Sequence, residues 1–519
     1  MADGKRLIGH AGAVLLRRCA DRTGLTQALA KVLPSSTAAG WRERAGVLVQ
    51  LAIAITLGAA NLSEAEQLQL HHRPLFGSAA SDSTARRTLS ALDEATLIKI
   101  AKVRARVRRQ VWSLLRLRPG GFPWLVVAGK RLTGWIVIDI DATIITAASK
   151  KAGAAVTFKK TFGFHPLAAW CANTTESLAM CLRPGNAGAN TVADHIAVLT
   201  DALVQIPGSS AAKILIRVDG AGATHGLLEH LEALNTTRRT VRYRYTVGWK
   251  ITEDDEKAIA KLPESAWETS VHQDGSLQEG YFIAELTGLN TREGWPEGMR
   301  LIVRRVKPTR RHLKKLTAFE KKTGWRYCIT ATNIRHMWGI AGSGHSQFLD
   351  VLHRSHAGVE DRVRTNKAMG LDNLPSASWE VNCGWMLAAN LASDLDAWVR
   401  GCWPCTTSRA WPTPSRRPCA SASTTCRPAS PITPAADGCV STRPGPGRKR
   451  SPPAGSDSPP SRLSPDSRAL PRQGPGRRRS GSTPGPWSPA HPRRHATARL
   501  ERPEDITGEL PSRSATESR

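Results

Sequence analysis

Residues Gly134–Ala147 read GWIVIDIDATIITA. The β-branched residues predict a buried strand, yet Asp139 and Asp141 stand inside it. An ionised carboxylate out of water is unfavourable unless something pairs with it. Acids on alternate residues of a strand point to one face. A metal ion is the usual reason to put them there. Fold and function both turn on whether other acids join these two.

A second strand supplies one. Lys213–Val218 (KILIRV) reads as a buried strand that runs into Asp219-Gly220-Ala221-Gly222, and Thr224–Leu234 follows as a helix. This places Asp219 at the carboxyl end of a strand, where open α/β sheets gather ligands. A third acid comes from the helix predicted over Gln347–Met369, which holds Glu360 and Asp361. Glu360, Arg364 and Lys367 recur at helical spacing on one face, an arrangement suited to gripping both a metal and a phosphate. The plain alternative is a surface ion pair between Glu360 and Arg364. Three carboxylates around one point would hold two Mg²⁺ ions, which favour oxygen ligands. Such a pair, about 4 Å apart, serves in-line phosphoryl displacement.

Outward from these strands, residues 8–117 read as helical. Ala45–Leu57 is a buried helix, Leu62–Leu70 a short one with Ser63 as expected N-cap, and Ser81-Asp82-Ser83-Thr84 opens another. Asp82–Leu92 would project Arg86 and Arg87, in the manner of a helix-turn-helix recognition helix. Thr96–Leu117 carries Lys99, Lys102, Arg104, Arg106, Arg108, Arg109 and Arg116, read as a basic face for DNA.

Further on, Trp124–Ala128, Gly134–Ala147, Val156–Phe164 and Ala168–Arg183 suggest adjacent antiparallel strands of a mixed sheet. Thr191–Leu203 is an amphipathic helix. Between 240 and 332 five segments read as strands: Val241–Val247, Trp267–His272, Tyr281–Leu286, Arg300–Val306 and Trp325–Ala331. The Lys/Arg-dense Lys307–Lys322 reads as a phosphate-facing loop, and Ser378–Val399 as a core helix. His165 is expected to be a packed histidine, and Trp249, Trp325 and Trp338 core residues.

From Gly401 the composition changes. About two-thirds of the 33 Pro lie in 402–519, a segment too poor in apolar residues to fold, so disorder is expected. A core helix running into CWPCTTSRAWPTPSRRPC reads as a shifted frame of a high-GC gene. An amphipathic continuation in another frame of the nucleotide sequence tests this. Cys402, Cys405, Cys419, Cys426 and Cys439 lack zinc-site spacing.

The net charge of +30 favours a polyanion, nucleic acid first. No apolar run reaches the roughly 18–20 residues of a membrane span. The N-terminus lacks a signal peptide's apolar core and the ten Cys form no compact disulfide framework. A cytoplasmic, reduced protein is expected.

The ordering Asp, Asp, β-rich segment, Glu resembles the DDE transposases of bacterial insertion sequences, over roughly residues 10–400. The subgroup with a β-rich insertion carries the signature Tyr-x2-Arg-x3-Glu-x6-Lys, and this chain reads His353-x2-His356-x3-Glu360-x6-Lys367. The resemblance implies a ribonuclease-H-like α/β fold. A helical DNA-binding region (1–120) would precede it, and the catalytic domain (121–240 and 333–401) would be split by the insertion (241–332). It implies Asp141 (in Asp-x-Thr), Asp219 and Glu360 as metal ligands, with Asp139 and Asp361 as alternates. Lys367 and Arg364 would contact phosphate. It further implies two Mg²⁺ ions, with Mn²⁺ able to substitute, and double-stranded DNA (transposon ends and target) as partner. A DNA-dependent homodimer at the nucleoid is implied as well. Rival expectations are a nuclease of the same fold and an inactive remnant that only binds DNA.

Overall fold

The structure is a computed structural model describing residues 12–38, 41–71, 73–207, 213–236, 243–290 and 293–402. The expectations for the Pro/Ser/Arg-rich tail, including four of its five cysteines, fall outside the described residues.

The chain builds a mixed α/β fold around a nine-stranded sheet. In chain order its strands are β1 (Trp135–Ala142), β2 (Leu167–Cys171), β3 (Ser177–Cys181), β4 (Lys213–Val218), β5 (Tyr243–Trp249), β6 (Glu268–Val271), β7 (Leu277–Glu285), β8 (Arg300–Val306) and β9 (Arg326–Thr332). Their spatial order is β6-β7-β8-β9-β5-β4-β1-β2-β3. β1, β4 and β5 run parallel, and the remaining neighbours are antiparallel. Strands 268–332 therefore extend the one sheet.

Strands buried on both faces read as continuous apolar runs, and β1 is such a strand. Ile136, Ile138 and Ile140 enter the large core with Val198 and Leu199 of helix Val192–Gln205. Trp135 and Val137 face the other way, against Phe348, Leu349, Val351 and Leu352. Asp139 and Asp141 continue this second face.

Two expectations about strands are corrected. Val156–Phe164 is not in the main sheet. It forms a small separate sheet from Ile145–Thr146, Ala155–Val156 and Phe162–Phe164. Gly163 must pack against the Ile145 carbonyl, where a Cβ would clash, and that close approach ties the hairpin to β1's continuation. Likewise, Trp124–Ala128 supplies only a two-residue ladder with Lys130–Arg131.

The principal helices are α1 (Arg44–Thr56), α2 (Asp82–Ser90), α3 (Glu94–Leu117), α4 (Val192–Gln205), α5 (Ser346–Arg354), α6 (Val359–Asn366) and α7 (Trp379–Cys402). α1 is buried all round, as expected, and lies against α7. Ser81 caps α2, accepting from Thr84 N at 3.3 Å. Asn61 rather than Ser63 caps Leu62–His71: its Oδ1 accepts from Glu64 N at 2.9 Å. One hydrophobic cluster runs from Ala13 to Trp398, so the N-terminal helices share their core with the sheet.

The basic face expected on α3 is partly internal. Arg104 and Arg108 are buried; Arg104 donates to Asp394 (2.8 Å), and Arg108 to Asp394 (2.7 Å) and Glu176 (2.9 Å). The indoles of Trp112 and Trp398 also donate to Glu176, at 2.7 and 2.6 Å. Buried charges survive only when paired and hydrogen-bonded. Here two Arg answer two acids at the junction of α3, α7 and the β2–β3 turn. No helix among the described residues is long and apolar enough to cross a membrane.

Candidate active site

β1 and β4 pair in parallel with Asp139 beside Arg217 and Ile140 beside Val218. The ladder ends there: the next residues are Asp141, still in β1 and opposite Ala168 of β2, and Asp219, just past the end of β4. Residues at equivalent positions of neighbouring strands share a face. The register sets Asp139 against a cation, and the end of the ladder leaves Asp141 within electrostatic reach of another acid, Asp219.

Those neighbours divide the roles of the two aspartates. Asp139 is fully buried and its carboxylate is saturated. Arg217 grips it with two bonds (Nε 2.7 Å, Nη2 3.0 Å), Arg362 Nη1 donates at 2.8 Å, and His356 Nδ1 lies at 3.1 Å. Burial pushes its pKa up, but Arg217, His356 and Arg362 together hold it well below the carboxylate range. Asp141 has no such partners; its Oδ1 accepts only from Ala142 N, at 2.8 Å. Burial and then the charge of Asp219 push it up to about 6, with Glu360 adding to the rise and His356 opposing it. The three predicted acids therefore act on one another through space. Among the described residues, no three His, Cys, Asp or Glu side chains converge closely enough to enclose a metal ion.

Asp219 caps the short turn Gly220–Gly222, its Oδ1 accepting from Ala221 N at 3.0 Å. Backbone crowding fixes this turn: a Cβ on Gly248 of β5 would come within 2.8 Å of Gly220 N.

The helix expected over Gln347–Met369 stays helical in backbone as far as Lys367 but changes pitch along its length. α5 ends at Arg354, a tight turn covers Ser355–Gly358, α6 follows, and Lys367–Leu371 forms a wider turn ending with Gly370 at φ 85°. At the tight turn, Arg217 Nη1 takes the Leu352 carbonyl at 3.0 Å and also bonds Ser355 Oγ, while Ser355 Oγ donates to the same carbonyl at 2.8 Å. Side-chain bonds to helix carbonyls compete with the helical ladder. On α6, Arg362 reaches Asp139 and Glu360 comes within electrostatic range of Asp141.

The remaining predicted residues separate. Lys367 Nζ donates to the Ile144 carbonyl at 2.7 Å, just past Asp141, and lies 3.7 Å from Asp372. Arg364 pairs with Asp361 on the exposed side, not with Glu360. Arg86 meets Ser376 (3.1 Å) and Asp82 (3.7 Å), and Arg87 turns back to Ser83 O (3.3 Å). His353, at the signature's Tyr position, is held neutral: burial, then His356 and Arg217, lower it to about 3. His165 is buried as expected, its Nδ1 3.0 Å from Ala187 O. Trp338 corrects the core expectation, being 71% exposed.

Arg217, Arg362 and the Asp139 role of His356 were missed from the sequence. The signal for Arg217 was present: one cation in an apolar strand, as Asp139 is one anion in another.

The sequence model described as Transposase DDE domain group 1 matches residues 1–415, and the chain belongs to that family. No curated protein sequence matches it. Among solved structures, a cryo-EM piggyBac transposase synaptic complex with hairpin DNA aligns over 76% of this chain and 75% of that chain, at 9% identity and a TM-score of 0.38.

Proposed function

We propose that Asp141, Asp219 and Glu360 form the metal-binding centre of a DNA transposase that cleaves the terminal inverted repeats of an insertion sequence and joins them to target DNA. The observation that carries this reading is the carboxylate of Asp141, raised to about 6 by burial and by the charge of Asp219, the residue that follows the last β1–β4 pair, Ile140 with Val218. Such a cluster is unfavourable by itself and suits a divalent cation, which favours the ionised oxygens. Two Mg²⁺ ions, or Mn²⁺ in their place, would activate an attacking water or 3′-hydroxyl and stabilise the leaving oxygen.

The chain's own residues do the positioning. Asp141 near the end of β1 and Asp219 just past β4 would supply two ligands, and Glu360 of α6, within electrostatic range of Asp141, the third. Lys367 secures the segment after Asp141 and stands ready for phosphate, with Arg364 on the outer side of α6. Arg86 and Arg87 on α2 would contact DNA. The strand order β3-β2-β1-β4-β5, three antiparallel and then parallel, supports a ribonuclease-H-like fold with the later strands as its insertion. A DNA-dependent homodimer acting on nucleoid DNA completes the reading.

The test is Mg²⁺-dependent nicking and strand transfer by the purified protein on its element's ends. Wild type should give both, and Asp141→Ala neither. Nicking without joined products points to a nuclease, and DNA binding without either product to an inactive remnant. Equal activity of Asp141→Ala and wild type sinks the site assignment.

A further inference from the structure

The hairpin that leaves β1 just beyond Asp141 is fixed at its base and bare at its tip. At the base, Ala155 pairs with Gly163 and Ile145 with Phe164, and Gly185 packs against the Ala155 and Gly163 carbonyls where no Cβ fits. Ala152 N donates to Ala377 O at 2.9 Å. The turn is closed by Thr157 N to Thr161 O (2.7 Å) and by the two threonine hydroxyls (2.7 Å). At the tip Lys160 adopts a left-handed φ of 62°.

This tip displays apolar surface: one edge of the Phe158 ring lies against His165, centroids 5.3 Å apart, and the rest faces solvent. Phe158 is 65% exposed, Val156 62% and Phe162 39%. Single exposed apolar residues are ordinary, but a cluster at one tip marks an interaction site. Lys159 and Lys160 are interleaved with them and exposed, Lys159 Nζ lying 5.6 Å from the centre of the Phe158 ring. Aromatic rings alternating with cations suit a ligand that offers flat π-faces and negative charge together. Nucleic acid offers both, but only where its bases are unpaired or unstacked.

We infer that the Val156–Phe162 tip engages unstacked bases of the DNA beside the reacting phosphate, with Phe158 as the stacking ring and Lys159 and Lys160 on the flanking phosphates. The inference rests on the proposed DNA reading and adds to it a preference for DNA opened near the site. The hairpin's root next to Asp141 and Lys367 sets its place. Its fixed base means that stacking requires little ordering of the chain.

The test compares a forked duplex carrying 2-aminopurine at the junction with the fully paired duplex of the same sequence, in Ca²⁺ to prevent cleavage. Wild type should bind the fork more tightly and quench the 2-aminopurine. Phe158→Ala should lose about ten-fold of the fork preference and most of the quench, with paired-duplex affinity and melting temperature unchanged. Phe158→Trp should restore both. Lys159→Ala/Lys160→Ala should weaken both probes alike. A Phe158→Ala protein that keeps the fork preference overturns the inference while leaving the DNA reading standing. So does a wild type that binds both probes equally. Loss of self-association in Phe158→Ala by light scattering, with the fork preference intact, assigns the tip to a second copy and overturns it too. Wild type that binds neither probe removes the DNA reading and this inference with it.

Discussion

Asp139 and Asp141 are two residues apart on one strand face, and their neighbours give them opposite physical chemistry. Asp139 is answered by Arg217, Arg362 and His356, so its charge holds elements together. Asp141 is buried without a counter-ion and faces the like charge of Asp219, so its ionisation opposes folding. Asp139→Asn would leave two guanidiniums without their counter-ion, at a loss of about 3–5 kcal/mol, measured as a lower denaturant midpoint at neutral pH. Asp141→Asn should do the reverse in metal-free protein. The folded pKa of Asp141 lies near 6, above an unfolded value of about 3.9. The native state therefore binds more protons between these values, and stability falls as pH rises through them. Asp141→Asn escapes that loss, and should be more stable than wild type at pH 8 by on the order of 2 kcal/mol, with the difference fading to nothing near pH 4. Calorimetric melts at both pH values check this; a destabilised Asp141→Asn at pH 8 would contradict an Asp141 carboxylate raised by burial and by Asp219.

At the scale of elements, the site is set by how strands and helix ends abut. Asp219 is held by its turn, and the turn by the missing side chain of Gly248 on β5. Gly248→Ala must move Gly220 N or part β4 from β5, displacing Asp219 without altering any acid. Misplacement of about 1 Å at such a site lowers rate by roughly 100-fold. The expected result is a protein with a nearly wild-type melting temperature and a strand-cleavage rate lower by about that factor. Unchanged cleavage would show that the turn is free to adjust. The change of pitch between α5 and α6 belongs to the same scale. Arg217 takes the Leu352 carbonyl where the helix tightens.

At the scale of the molecule, the N-terminal helices, the sheet and α7 form one core, with four buried charges where they meet. Arg104 and Arg108 come from α3, Glu176 from the β2–β3 turn and Asp394 from α7. Removing one anion leaves a buried cation, so Glu176→Gln should destabilise by about 3–5 kcal/mol. A chain stopped after Ala389 loses Asn390, Asp394 and Trp398 at once, and should fail to give a cooperative melt. Surviving cooperativity there would mean that the helical region folds apart from α7.

The sequence by itself located most strands of the main sheet, the acid that follows Lys213–Val218, and the helical character of the region read over 8–117, of which the described part from residue 12 is mainly helices. Hydrophobic period and glycine punctuation are local properties, readable without knowing what lies opposite. Acids in or just after apolar strands made Asp139, Asp141 and Asp219 conspicuous, and the family resemblance, through Asp-x-Thr and Glu-x6-Lys, singled out Asp141 and Glu360. What the sequence left open was pairing. Whether Asp139 or Asp141 sits beside a cation depends on the β1–β4 register, which joins residues far apart in sequence. Whether α3's arginines face DNA or Asp394 depends on a helix nearly three hundred residues downstream. The tertiary structure decided these, because the state of a charge is set by its neighbours in space, and folding alone supplies them.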